Sequence, residues 1–130
     1  MAFTVSGISH AAIRVTDLGR SRRFYADFLG FPVVLEAEGV VVLKVGNALL
    51  GVRGDAPETS SGERFDAFHV GLDHLALAVE SPEQLREMQD ALDAAGVRNE
   101  GIQDDSSFNA KALVFYDPDG IALELYAMVG

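Results

Sequence analysis

The sequence predicts an α+β fold. Two β-α-β-β-β modules form curved mixed sheets facing a metal-binding hollow, with the helices outside. Three observations predict it. A phrase occurs twice, as "GISHAAIRV" at 7–15 and "GLDHLALAV" at 71–79. Each copy is followed by a helical pattern and then by strand-like runs broken at turn residues. Between the halves lies "RGDAPETSSGERFDAF" (53–68), rich in Gly, Ser, Pro and charge, which reads as a linker.

The elements follow in order. Superposing the phrases sets Gly7 on Gly71, His10 on His74, Ala12 on Ala76 and Val15 on Val79. After the first phrase, "TDLGRSRRFYADFLGF" offers Asp17 as an N-cap. Leu18, Phe24, Tyr25, Phe28 and Leu29 make an apolar helical face, and Gly30 sits where a helix ends. "FPVVLEAEGVVVLKVGNALLGV" then reads as three short strands, punctuated at Gly39 and at Gly46-Asn47. After the second phrase, Ser81 and Gln84 suit a capping box with Pro82 at the first helical position. Leu85, Met88, Leu92 and Ala95 follow the helical period up to Gly96. "NEGIQDDSSFNA" holds a weak strand and a loop. "AKALVFYDPDGIALELYAM" is a hairpin turning at Asp117-Pro118-Asp119-Gly120. The chain of 130 residues is thus expected to be one domain, with a module over about 7–55, a linker over about 53–68 and a second module over about 70–128.

Composition excludes several chemistries. No cysteine means no disulfide, thiolate metal site or thiol nucleophile. No apolar run approaches a membrane span and the N-terminus does not pattern as a signal peptide, so the expected location is cytoplasmic. Residues 1–65 carry seven basic and seven acidic side chains, and residues 66–130 carry three basic and thirteen acidic, so the net −10 resides in the second half. That surface repels phosphate backbones and anionic lipid, which argues against nucleic-acid or membrane partners.

Alternation along the strands selects the candidate site. His10, Ala12 and Arg14 share one face of the first strand, and Ile13 and Val15 the other. His74, Ala76 and Ala78 oppose Leu75, Leu77 and Val79 in the same way. The bulky face packs on the helix, so the histidines look into the hollow. In the last strand Glu124 shares the hollow side with Ala122 and Tyr126, and a carboxylate there needs a partner or a cation. His10, His74 and Glu124 together are a facial-triad donor set that suits Fe(II) or Mn(II), with Ni(II) and Zn(II) as alternatives. His69, the third histidine, lies where the chain approaches the repeated strand and reads as structural.

The doubled β-α-β-β-β order, the two histidines, "RFYADFLGF" and "FYDPDGIALELY" resemble the vicinal oxygen chelate superfamily over nearly the whole chain. That group includes glyoxalase I, bleomycin resistance proteins, fosfomycin resistance thiol transferases, methylmalonyl-CoA epimerase and extradiol dioxygenases. The resemblance implies one divalent metal ion on His10, His74 and Glu124. It further implies an enzyme acting on a small substrate with vicinal oxygens, of dioxygenase, lyase, isomerase or transferase type. Glu124, Tyr116 and Tyr126 are the expected catalytic side chains, with Arg14 and Lys111 as further candidates for orienting substrate. Aligning "GNALLGV" with "GIALELY" puts Leu50 opposite Glu124. A leucine cannot ligate, which departs from the four-ligand pattern of glyoxalase I and the epimerase. The alternative is a metal-free protein that sequesters a small molecule such as an antibiotic, a branch that generally lacks the triad. Each module leaves one sheet face unpaired and similar proteins are two-fold dimers, so a homodimer is expected. The site then lies either within one chain or across two.

Overall fold

The computed structural model describes residues 2–129. The chain divides into two compact units between Glu63 and Arg64.

In the first unit, β1 (His10–Arg14), β2 (Val33–Ala37), β3 (Val40–Val45) and β4 (Ala48–Arg53) form a sheet in the order β1-β4-β3-β2. β1 runs parallel to β4 and the other pairs are antiparallel. A crossover element is needed to bring β1 and a later strand into parallel register. It is α1 (Leu18–Arg22), which begins at Asp17, whose side chain accepts the Arg20 N–H at 3.0 Å. The helix then widens into a π-helical turn over Arg23–Phe28, where the Leu29 N–H reaches the Phe24 carbonyl at 2.9 Å. The wider turn goes with an inward Tyr25, which is wholly buried, while Phe24 stacks edge-on against it with ring centroids 5.1 Å apart. Apolar spacing alone does not separate an i→i+4 from an i→i+5 turn, so the pattern read as a uniform helix. The core face carries Ile13, Val15, Val41, Leu43, Leu50 and Val52, all buried. A hairpin over Gly46-Asn47 sets Val45 opposite Ala48, with Gly46 at φ 57°.

In the second unit, β5 (Leu75–Ala78), β6 (Asn99–Asp105), β7 (Ala110–Tyr116) and β8 (Ala122–Met128) repeat the arrangement in the order β5-β8-β7-β6. β5 is again parallel to β8. The crossover is α2 (Pro82–Ala94), opened by a hydrogen bond from the Ser81 N–H to Gln84 Oε1 at 3.3 Å. Leu85 and Leu92 of α2 are buried, as are Leu113, Phe115, Leu123 and Ala127 of the sheet. Asp117 closes the β7–β8 turn by accepting the N–H groups of Asp119 (2.9 Å) and Ile121 (2.8 Å). The segment 54–74 contains no helix or strand, and the Phe65 N–H ties it to the Asp119 carbonyl at 3.0 Å. The β-α-β-β-β order read from the repeat is the order of both units. Each sheet has one face under its helix and a second face bearing the histidine of its repeated phrase. Among the described residues no helix is long and apolar enough to cross a membrane.

Candidate functional site

The parallel pairing of β5 with β8 sets Ala76 opposite Glu124. Paired residues point to the same side of a sheet, and so do residues two apart along a strand. His74, one residue before β5, therefore shares a face with Glu124. Its Nε2 lies 3.6 Å from Glu124 Oε1. Its Nδ1 lies 2.7 Å from Asp73 Oδ1. A carboxylate only accepts, so Nδ1 donates to Asp73, and Nε2 is the ring nitrogen turned towards the glutamate. The Glu124 side chain is 15% exposed, flanked across the sheet by Ala76 and Val114. His74 Nε2 and the Glu124 carboxylate thus face each other over 3.6 Å in a partly desolvated place, an arrangement that suits a shared proton or a cation between them.

Both tyrosines lie on this same face. Tyr126 pairs with Ala112 and Tyr116 with Ala122. The Tyr126 hydroxyl donates to Asp105 Oδ2 at 2.6 Å, and this hydrogen bond, helped by desolvation, pushes the phenol up to about 12. The Tyr116 hydroxyl donates to Glu100 Oε1 at 2.6 Å, which raises its pKa above the usual phenol value. Lys111 is different. Its register partner is Ala127, on the side of Leu113 and Phe115 under α2, and its ammonium binds Asp104 at 2.6 Å. Lys111 therefore does not reach the face of Glu124, because a side chain one residue out of phase falls on the opposite side of the sheet.

In the first unit His10 shares the second face of its sheet with Ala12 and Arg14, and its Nδ1 lies 3.0 Å from Ser9 Oγ. Arg14 donates to the Gly54 carbonyl at 2.8 Å, which holds the guanidinium at the end of β4. Ala12 pairs with Gly51, whereas Ala76, its equivalent in the repeat, pairs with Glu124. Gly51 is thus the counterpart of Glu124, and Leu50 is not. Leu50 pairs with Ala11 and Leu43, is 3% exposed, and belongs to the core under the helix. The turns explain the mismatch. Two residues join β3 to β4, while five separate Tyr116 from Ala122, so aligning the glycines shifts the register by one. The position still carries no ligand, since glycine has no side chain. His69 is exposed in a turn, 3.3 Å from Asp66 through its Nε2. Among the described residues no group of three or more His, Asp or Glu side chains is gathered to hold a metal ion.

Sequence reasoning passed over Asp73, Glu100, Asp105 and the polar cavity beside His74. For Asp73 a signal was present. Ser9 and Asp73 stand at equivalent places in the two phrases, each just before a histidine and each bonded to its Nδ1. Glu100 and Asp105 gave none, because their partners are 16 and 21 residues away.

The comparisons with known proteins agree with this architecture. Residues 7–125 match the model of the Glyoxalase/Bleomycin resistance protein/Dioxygenase superfamily. YwkD of Bacillus subtilis (strain 168) is 32% identical, with 94% of this chain and 97% of YwkD covered. The crystal structure of a glyoxylase/bleomycin resistance protein/dioxygenase domain from Frankia sp. EAN1pec superposes with a TM-score of 0.82 at 27% identity, covering 97% of this chain and all of that one. A mutant of the fosfomycin resistance protein FosX from Listeria monocytogenes, complexed with Mn(II) and 1S,2S-dihydroxypropylphosphonic acid, shares the fold at a TM-score of 0.74 and 20% identity, over 97% and 93% of the two chains. The chain belongs to the Glyoxalase/Bleomycin resistance protein/Dioxygenase superfamily.

Proposed function

We propose that the protein is a divalent-metal-dependent enzyme acting on a small substrate with two adjacent oxygens. His74 and Glu124 supply two donors, and His10, from the same chain or a second copy in a homodimer, supplies the third. The observation that carries this reading is the approach of His74 Nε2 to Glu124 Oε1 at 3.6 Å, with the opposite ring nitrogen held by Asp73. A carboxylate behind a histidine is a common orienting device at metal sites. The FosX complex with Mn(II) supports Fe(II) or Mn(II) as the preferred ion, since two imidazoles and one carboxylate are borderline-to-hard donors.

The donor set fits such an ion in kind. Bound there, it would act as a Lewis acid towards two adjacent substrate oxygens. The chain's own residues do the rest. Asp73 fixes the tautomer and the plane of His74. Glu124, walled by Ala76 and Val114, is kept from bulk water. Tyr116 and Tyr126 remain protonated at neutral pH and serve as positioning groups rather than bases, because each hydroxyl already donates to a carboxylate.

Metal analysis tests this. Protein purified without chelator and loaded with Mn(II), Fe(II), Ni(II) or Zn(II) should retain about one ion per chain, as one triad per chain requires. Glu124→Ala should lose it. If the parent retains no ion, or Glu124→Ala binds as tightly as the parent, the metal reading fails and the metal-free sequestering protein becomes the better account.

A further inference from the structure

Beside His74 the second unit holds a cavity of about 380 Å³. That size lies within the roughly 300–1,000 Å³ of small-molecule sites. Phe65 and Val114 give it apolar walls, and Arg64, Arg98 and Tyr116 line it with polar groups.

The placement of the arginines is the informative feature. Residues 64–130 carry thirteen acidic side chains and only four basic ones. Two of the four, Arg64 and Arg98, line this cavity, while Arg86 and Lys111 line a groove beside α2. The Arg98 guanidinium lies 3.8 Å above the Tyr116 ring, so its face is occupied and its N–H edges are what it offers a ligand. Arg64 donates to the Pro118 carbonyl at 3.1 Å. It packs where a Cβ on Gly120 would come within 2.8 Å of its Nη2, so the glycine, at φ 79°, makes room for the guanidinium. Among the described residues neither guanidinium is paired with a carboxylate. The two carboxylates that line the cavity are both engaged. Asp66 binds His69 Nε2 (3.3 Å) and accepts the Phe68 N–H (2.9 Å), and Asp73 holds His74.

We infer that this cavity takes the carboxylate end of the substrate. The ligand class is a small molecule with one carboxylate and an apolar body, its anionic group on Arg64 and Arg98 and its remaining oxygens directed to His74. This deepens the proposed function and rests on its reading of the His74–Glu124 face as the substrate side. The general field of the unit repels anions, so selection must come from the paired guanidiniums at short range.

The test uses metal-free, full-length protein, with phenylacetate as probe and phenylacetamide as its neutral isostere, followed by calorimetry and amide NMR shifts. Phenylacetate should bind saturably and shift residues lining the cavity. The amide should bind more weakly by roughly tenfold or more, the value of a charge-assisted hydrogen bond. Arg64→Ala and Arg98→Ala should each weaken phenylacetate to a similar degree, Arg98→Lys should recover part of the loss, and Arg86→Ala should change nothing. Equal binding of acid and amide overturns the inference. So does the absence of saturable phenylacetate binding at millimolar concentration, or an Arg86→Ala effect as large as that of Arg98→Ala. No metal is present in the assay, so its failure leaves the metal reading standing, and loss of metal binding elsewhere leaves this result unchanged.

Discussion

Tyr126 shows how one hydrogen bond decides a residue's chemistry. Its hydroxyl donates to Asp105, and deprotonation would set a phenolate against that carboxylate and near Glu124. Replacing the acceptor's charge in Asp105→Asn should bring the phenol from about 12 down towards its ordinary value of 10.0, which an ultraviolet pH titration of the tyrosines reads directly. The sign for stability follows. The folded phenol holds its proton to higher pH than the unfolded one, so its contribution is complete below about pH 10 and is lost as pH rises through about 12. Denaturant titrations should show unfolding free energy falling over that window in the parent and falling less in Asp105→Asn. A titration midpoint unchanged by the substitution would show that Asp105 is not the cause. His74 is likewise held by a local partner, with Nδ1 on Asp73 and Nε2 turned towards Glu124.

At the scale of elements, strand register separates residues that the sequence sets side by side. Leu50 and Gly51 are neighbours, but one belongs to the core under the helix and the other to the face that carries His10. A Cβ at Gly51 would meet nothing closer than the Ala12 Cβ at 3.6 Å, an ordinary contact. Gly51→Glu should therefore fold, at a smaller loss of melting temperature than Leu50→Glu, although the glycine is buried. As the counterpart of Glu124 it should also tighten Mn(II) binding, by about tenfold if the added charge acts as carboxylate count does elsewhere. Leu50→Glu would put an unpaired carboxylate in the core. Its cost of several kcal/mol is comparable with the whole stability of a small protein, so it should be largely unfolded by circular dichroism. If the two variants behave alike, the register is wrong. The π-helical turn is a second case. Its apolar residues were legible as a helix, but the wider winding that accompanies a wholly buried Tyr25 was not.

For the whole molecule, exchange between chains tests where the third donor comes from. His10 belongs to the first unit and His74 and Glu124 to the second, so the proposed metal site needs both halves of the repeat. In a homodimer that shares its sites, the mixed dimer of a His10→Ala and a Glu124→Ala chain has one site lacking both ligands and one intact site. Half of the dimers in an equimolar exchanging mixture are mixed, so metal binding should return to about a quarter of the parent value, by the count of intact triads. If the subunits exchange, as mass spectrometry of a labelled mixture would show, and no binding returns, each site lies within one chain.

The β-α-β-β-β order, its doubling, the superfamily, and the faces on which His10, His74 and Glu124 lie are legible in the chain. These are local properties. Side-chain alternation, capping residues and turn glycines act over a few positions, and the repeat displayed them twice. Tertiary structure decided what depends on distant pairing. It alone put Gly51 rather than Leu50 across from Ala12, placed Lys111 under α2, and set Glu100 and Asp105 against the tyrosine hydroxyls. It also brought Arg64 and Arg98 to one cavity beside His74. An odd difference in turn length inverts a strand's faces relative to its repeat without altering its composition, and a hydrogen bond between residues on different strands leaves no periodic trace in the chain.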